Sequence, residues 1–187
     1  MDTQSTCTAF TDGRRLASGA PWEVALAVKA ALIAQGTPDI LVFDDATGQM
    51  VDFDLRGSDE EIAARLMPQG EARTAGRPKL GVVAREVTLL PRHWEWLASQ
   101  PGGASVTLRK LVEAARAEGG GRDRIRRAQQ AADRFMQAML GNQPGYEEAA
   151  RALYACEPGR FAALTELWPA DLRDHARKLA APAFAEA

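Results

Sequence analysis

The chain is poor in the residues that most often carry chemistry. Its 187 residues include two cysteines and two histidines. Cys7 and Cys156 lie far apart with no CxxC or other ligand spacing, which argues against a disulfide framework and against a zinc site. His93 and His175 have no carboxylate or second histidine at ligand spacing, so neither reads as a general base. GxSxG, Walker A, HExxH and GxGxxG motifs are all missing. No stretch approaches the roughly 20 apolar residues that span a bilayer. Residues 1–10 are polar and lack the basic and apolar regions of a signal peptide. These absences predict a reduced, cytoplasmic protein with no membrane segment, no metal, no cofactor and no enzymatic activity.

What is present is an ordinary soluble composition, 46% hydrophobic and 26% charged, on a length that suits one domain or two small ones. The formal net charge of −2 conceals a segregation. Residues 1–72 carry a net −7, residues 73–127 a net +7 and residues 128–187 a net −2. A basic middle between acidic flanks has its own field, whatever the overall balance. It reads either as a solvated helical surface or as a face for a polyanion.

The pattern predicts an α+β protein in three parts. Residues 1–67 form a small ββαββα domain. Asp12-Gly13 turns a hairpin between Thr6–Phe10 and Arg15–Ser18. Pro21 opens a helix carrying Trp22, Ala25, Leu26, Leu32 and Ile33. Ile40–Phe43 is a buried strand, and Val51, Phe53 and Leu55 alternate with Asp52, Asp54 and Arg56 as a half-buried one. Ser58-Asp59-Glu60-Glu61 is a capping box that starts the second helix. Residues 68–84, rich in glycine and proline and basic at Arg73, Arg77 and Lys79, form a linker. Residues 85–118 give a short strand, a helix bearing Trp94, Trp96 and Leu97, and a second helix with Leu108, Leu111, Val112 and Ala115 on one side, closed by Gly119–Gly121. About 35 residues of this kind cannot bury a full core, so the unit must pack on the rest of the chain or on a second copy. Residues 122–181 form a helical module, punctuated by Gly141, Pro144-Gly145, Pro158-Gly159 and Pro169.

Asp44, Asp45, Asp52 and Asp54 face each other across the predicted second hairpin. Such residues can hold a hard cation, but they read first as turn formers and the wet face of a strand. The densest positive cluster is Arg122, Arg124, Arg126 and Arg127. Clusters of this kind bind phosphates by releasing counterions, without reading sequence.

Val87-Thr88-Leu89-Leu90-Pro91-Arg92, a helix, a glycine-containing turn, and Ser105 before Leu108-Arg109-Lys110-Leu111-Val112 resemble the ribbon-helix-helix family of bacterial DNA-binding proteins. The resemblance implies a homodimer whose paired strands enter the major groove. It also implies that the second helix meets phosphate through Ser105, Val106 and Thr107. Glu86, Thr88 and Leu90 would face the bases. None of these is a side chain that base readout favours, so phosphate contacts are expected to dominate. Gly76-Arg77-Pro78-Lys79 is similar to the core of an AT-hook, which lies in the minor groove; its other reading is a plain linker.

Over almost the whole length, Gly76–Val83, Glu86–Trp94, Leu97, Gly102–Ser105, Leu108–Val112 and Trp168–Asp171 resemble the bacterial domain-of-unknown-function 2239 family. That resemblance brings no activity or ligand with it. The expected function is therefore binding of nucleic acid, chiefly duplex DNA, by a homodimer, as a transcriptional regulator would bind it. The residues expected to carry it are Arg77, Lys79, Arg85, Thr88, Arg92, Ser105, Thr107, Arg109, Lys110, Arg122, Arg124, Arg126 and Arg127. The alternative is a protein-interaction or scaffold module docking through Trp94 and Trp96. A third reading is an enzyme built on the hairpin aspartates.

Overall fold

The computed structural model describes residues 6–36, 39–67 and 85–185 of a mixed α+β chain. The elements run β1 (Cys7–Thr11), β2 (Arg14–Gly19), α1 (Pro21–Gln35), β3 (Ile40–Asp44), α2 (Asp59–Leu66), α3 (Pro91–Ser99), α4 (Gly103–Leu140), α5 (Tyr146–Tyr154), α6 (Pro158–Leu164) and α7 (Ala170–Phe184). The chain divides into two compact units. Residues 1–68 and 121–187 form the first, and residues 69–120 the second.

The first unit is built on a three-stranded antiparallel sheet in the order β2-β1-β3. Asp12 and Gly13, both at positive φ, make the β1–β2 turn that their Asp-Gly sequence predicts. Because β1 is central, alternate side chains enter two different cores. Cys7 and Ala9 pack with Val24 and Val28 of α1. Phe10 joins Phe43 of β3 and Phe135, Met136, Leu153, Phe161 and Leu172 from the helices on the other face. The rings of Phe10, Phe43 and Phe135 meet in edge and tilted contacts with centroids 5.0–6.3 Å apart. The predicted N-terminal domain and C-terminal helical module are thus one body. The sheet contributes Phe10 and Phe43 to the larger core, and the C-terminal helices contribute its other buried residues.

The C-terminal helices lie where Gly141, Pro144-Gly145, Pro158-Gly159 and Pro169 predict. The capping box is formed as well: Ser58 Oγ accepts from the Glu61 amide at 3.3 Å, and Glu61 returns a carboxylate oxygen to the Ser58 amide at 2.8 Å. Three expectations need correction. On α1 the buried stripe is Val24, Ala25, Val28 and Ala31, while Ile33 is 76% exposed. Residues 51–56 are not a strand. Their alternating burial is as expected, with Phe53 and Leu55 against the smaller core, but the ladder ends at a single bridge between Phe43 and Met50. Arg65 of α2 donates to the Asp54 and Arg56 carbonyls at 2.8 and 2.6 Å, which fastens this segment to that helix. Finally, α4 does not stop at Gly119–Gly121 but continues through them to Leu140.

In the second unit, residues 85–90 carry no strand pairing among the described residues. They lead into α3, and Pro91 at its first turn suits a helix start. Gly102 and Gly103, at φ 90° and 73°, turn the chain into α4.

Candidate functional site

The second unit has almost no interior of its own. Leu97 and Thr107 are its buried side chains among the described residues, while Val87, Leu90, Trp94, Trp96, Leu111 and Val112 are 41–55% exposed. Leu89, His93, Trp96, Leu97, Leu108 and Leu111 line an open apolar groove of about 270 Å³. Single exposed apolar residues are ordinary, whereas large contiguous patches are where interaction sites are commonly found.

The predicted phosphate-contacting residues divide into several groups. Arg77 and Lys79 lie outside the described residues. Arg85, Thr88, Arg92, Ser105, Arg109 and Lys110 are all exposed on the second unit. Arg85, Arg92 and Lys110 form no ion pair among the described residues, and Arg109 donates to the Ser105 carbonyl at 3.2 Å. Thr107 is a correction. It is only 9% exposed because α4 begins at Gly103, which turns the fifth residue of the helix inward. Ser105 likewise sits inside the first turn and is not the residue that precedes the helix.

Arg122, Arg124, Arg126 and Arg127 belong to the first unit. They flank its buried stripe of Ile125, Ala128 and Ala132 on both sides, as their helical spacing requires. Arg126 pairs with Asp123 at 2.6 Å, and Arg127 donates to the Asp123 carbonyl at 3.1 Å. The basic middle of the sequence is therefore split between two units and spread round a helix.

A second constellation, which spacing along the sequence does not reveal, lies in the first unit. The Asp45 side chain is 7% exposed and accepts from Thr8 Oγ1 at 2.8 Å, Thr6 Oγ1 at 2.9 Å and Lys178 Nζ at 2.7 Å. His175 Nε2 lies 3.8 Å from Asp45 Oδ1, buried and without a hydrogen-bond partner. Its ring packs edge-on against Phe10 and Phe135, with centroids 5.2 and 4.5 Å away. Burial drives the His175 pKa down to about 4; Asp45 opposes the shift, and Lys178 and Arg15 add to it. Burial alone would raise the Asp45 carboxyl, but the hydrogen bonds from Lys178, Thr8 and Thr6 outweigh it and hold the group below its usual value. The Cys7 thiol is pushed up to about 11 by burial, helped by Asp44 and Asp45. A thiol held as S–H is a poor nucleophile and metal ligand, and the His175 ring is enclosed by Phe10 and Phe135. The network instead fastens α7 to the sheet.

Two of the other hairpin aspartates have local partners too. Asp44 accepts from the Ala46 and Thr47 amides and from Thr47 Oγ1, closing the turn after β3. Asp54 takes a two-pronged contact from Arg56. Among the described residues no group of three or more His, Cys, Asp or Glu is placed to hold a metal ion.

Residues 6–180 match the model of a family described as "Uncharacterized protein conserved in bacteria (DUF2239)". The chain belongs to the DUF2239 family. No curated protein and no solved structure matches it. For this DUF2239 chain the family description assigns no activity, so its sites rest on the residues described above. Among those residues no helix is long and apolar enough to cross a membrane.

Proposed function

We propose that this DUF2239 protein binds nucleic acid as a dimer formed by its second unit, and that it holds duplex DNA mainly by the phosphates. One observation carries the reading. The second unit exposes a segment, residues 85–90, with no strand pairing among the described residues, an open apolar groove, and cations that no carboxylate among the described residues neutralises. A second copy would cover the apolar side chains, which one copy leaves in water at a cost of about 25 cal/mol per Å². Arg85, Arg92, Arg109 and Lys110 would then be presented twice, as a duplex with its regular phosphates requires. Ser105 and Thr88 are exposed for further backbone contacts, and nothing in the set favours one base over another.

The test is a mobility-shift titration against random and A·T-rich duplexes at two salt concentrations, with sedimentation to report the oligomeric state. Binding that falls steeply with salt, similar on both duplexes and shown by a dimer, is the expected result. No binding at low salt refutes the proposal. The groove itself favours a second reading, in which Trp94, Trp96 and Leu111 receive another protein. Tryptophan is enriched where interfaces concentrate their energy. Such an interface responds little to salt, which separates the two readings.

A further inference from the structure

Three consecutive glycines, Gly119, Gly120 and Gly121, lie inside the 38-residue α4. The fold supplies no local reason for them. None adopts a positive φ, so none is there for a turn. A Cβ built at Gly119 or Gly120 would meet nothing within 4 Å, so neither is there for a close approach. Several glycines elsewhere in this chain have such reasons: Gly13 and Gly102 turn the backbone at positive φ, and a Cβ at Gly48 would run into the Ala131 carbonyl. Each helical glycine weakens its helix about fivefold relative to alanine, so three in a row weaken it by about a hundredfold. The flanking turns add little to offset this, since Leu111–Arg116 and Arg122–Arg124 are exposed and short helical stretches depend on burial for their stability. The division between the two compact units falls between Gly120 and Gly121.

We infer that Gly119–Gly121 are a hinge: α4 opens there while both units stay folded, so that the second unit swings as a body on the first. The inference does not require a nucleic-acid ligand. Its consequence for one is that the cations of residues 85–110 and those of residues 122–127 adjust to a target separately.

Two measurements on the full-length protein test it. In hydrogen exchange, amides of residues 117–123 exchange at least a hundredfold faster than those of residues 128–138. The triple variant Gly119→Ala, Gly120→Ala, Gly121→Ala slows them by about a hundredfold. Should that variant not fold, Gly120→Ala alone slows them about fivefold. In the second measurement, spin labels at Ala114→Cys and Ala138→Cys straddle the glycines, in a Cys156→Ser background with the buried Cys7 retained. An unbroken helix separates these positions by about 36 Å, from a rise of about 1.5 Å per residue. The protein with its glycines gives a broad distance distribution, which narrows to a single peak near that length in the alanine variant. A single narrow peak with the glycines present overturns the hinge even where exchange is fast. Uniform protection across residues 111–138 overturns it as well.

Discussion

His175 makes the stability of the first unit depend on pH in a way that one substitution can isolate. Its imidazole is buried between Phe10 and Phe135 with its pKa lowered to about 4, against an ordinary value of 6.5. The unfolded chain therefore takes up a proton near pH 6.5 that the folded chain refuses until about pH 4. Between these values the unfolded state binds more protons, so stability rises with pH, is nearly complete at pH 7 and is lost as pH falls. Integrating over that window gives a loss of about 2 kcal/mol by pH 5 and about 3 kcal/mol by pH 4. Other carboxylates, among them Asp45, Glu60 and Glu166, are held below their ordinary values and add losses further into acid. The comparison is therefore made between the wild-type chain and His175→Gln, by urea unfolding at pH 7, 5 and 4. Glutamine costs stability at pH 7 through lost ring packing. The variant nonetheless loses about 2 kcal/mol less than wild type between pH 7 and 5. Parallel declines in the two proteins would refute the placement of a neutral His175 in the core.

Replacing Lys178 with Met removes a cation bonded at 2.7 Å to the nearly buried Asp45 carboxylate. Lys178 is itself half-exposed, which reduces the cost of breaking a buried pair to about 1–2 kcal/mol by urea unfolding. Gly48→Ala destabilises by about 3 kcal/mol or more, because the new Cβ runs into the Ala131 carbonyl and φ is 66°; a thermal melt unchanged within error would contradict this. Phe135→Ala opens the centre of the larger core and costs about 3–5 kcal/mol. On the second unit, Trp96→Ser combined with Leu111→Ser converts dimer to monomer in sedimentation and leaves the first unit folded; an unchanged dimer would remove the groove from the interface.

Local signals in this sequence were reliable where they were self-sufficient. Asp12-Gly13 needs only its own backbone to turn a hairpin, and Ser58 and Glu61 need only each other to cap α2. Proline and glycine likewise mark the ends of the C-terminal helices. What failed depended on distant partners. The alternation of residues 51–56 reports one buried face and says nothing about backbone pairing, which stops at the Phe43–Met50 bridge. The glycine run looks like a stop because helix propensity is summed locally, yet α4 passes through it. Phe10 and Phe43 read as the interior of a small domain, and their packing against the C-terminal helices has no signal in the spacing. The Asp45–His175–Lys178 network joins residues 130 and more positions apart, beyond the reach of any spacing rule. For the proposed nucleic-acid surface, the charge count located the cations but not their division between two units.

That division makes the salt dependence of binding a way of counting cations. Each phosphate neutralised on B-form DNA contributes about −0.9 to the slope of log K against log salt concentration. A dimer using only Arg85, Arg92, Arg109 and Lys110 neutralises up to eight phosphates, for a slope of about −7. If Arg122, Arg124, Arg126 and Arg127 join them, the same arithmetic doubles the slope to about −14. The ion pair between Arg126 and Asp123, and the placement of the four arginines on both sides of the buried stripe of α4, argue for the smaller value. Arg122→Ala with Arg126→Ala then leaves the slope unchanged, whereas Arg109→Ala with Lys110→Ala lowers its magnitude by about 4 in the dimer and weakens random and A·T-rich duplexes alike. A slope that falls with the Arg122 and Arg126 pair and ignores the Arg109 and Lys110 pair would move the contact from the second unit to the first, and the dimer groove would lose its part in binding.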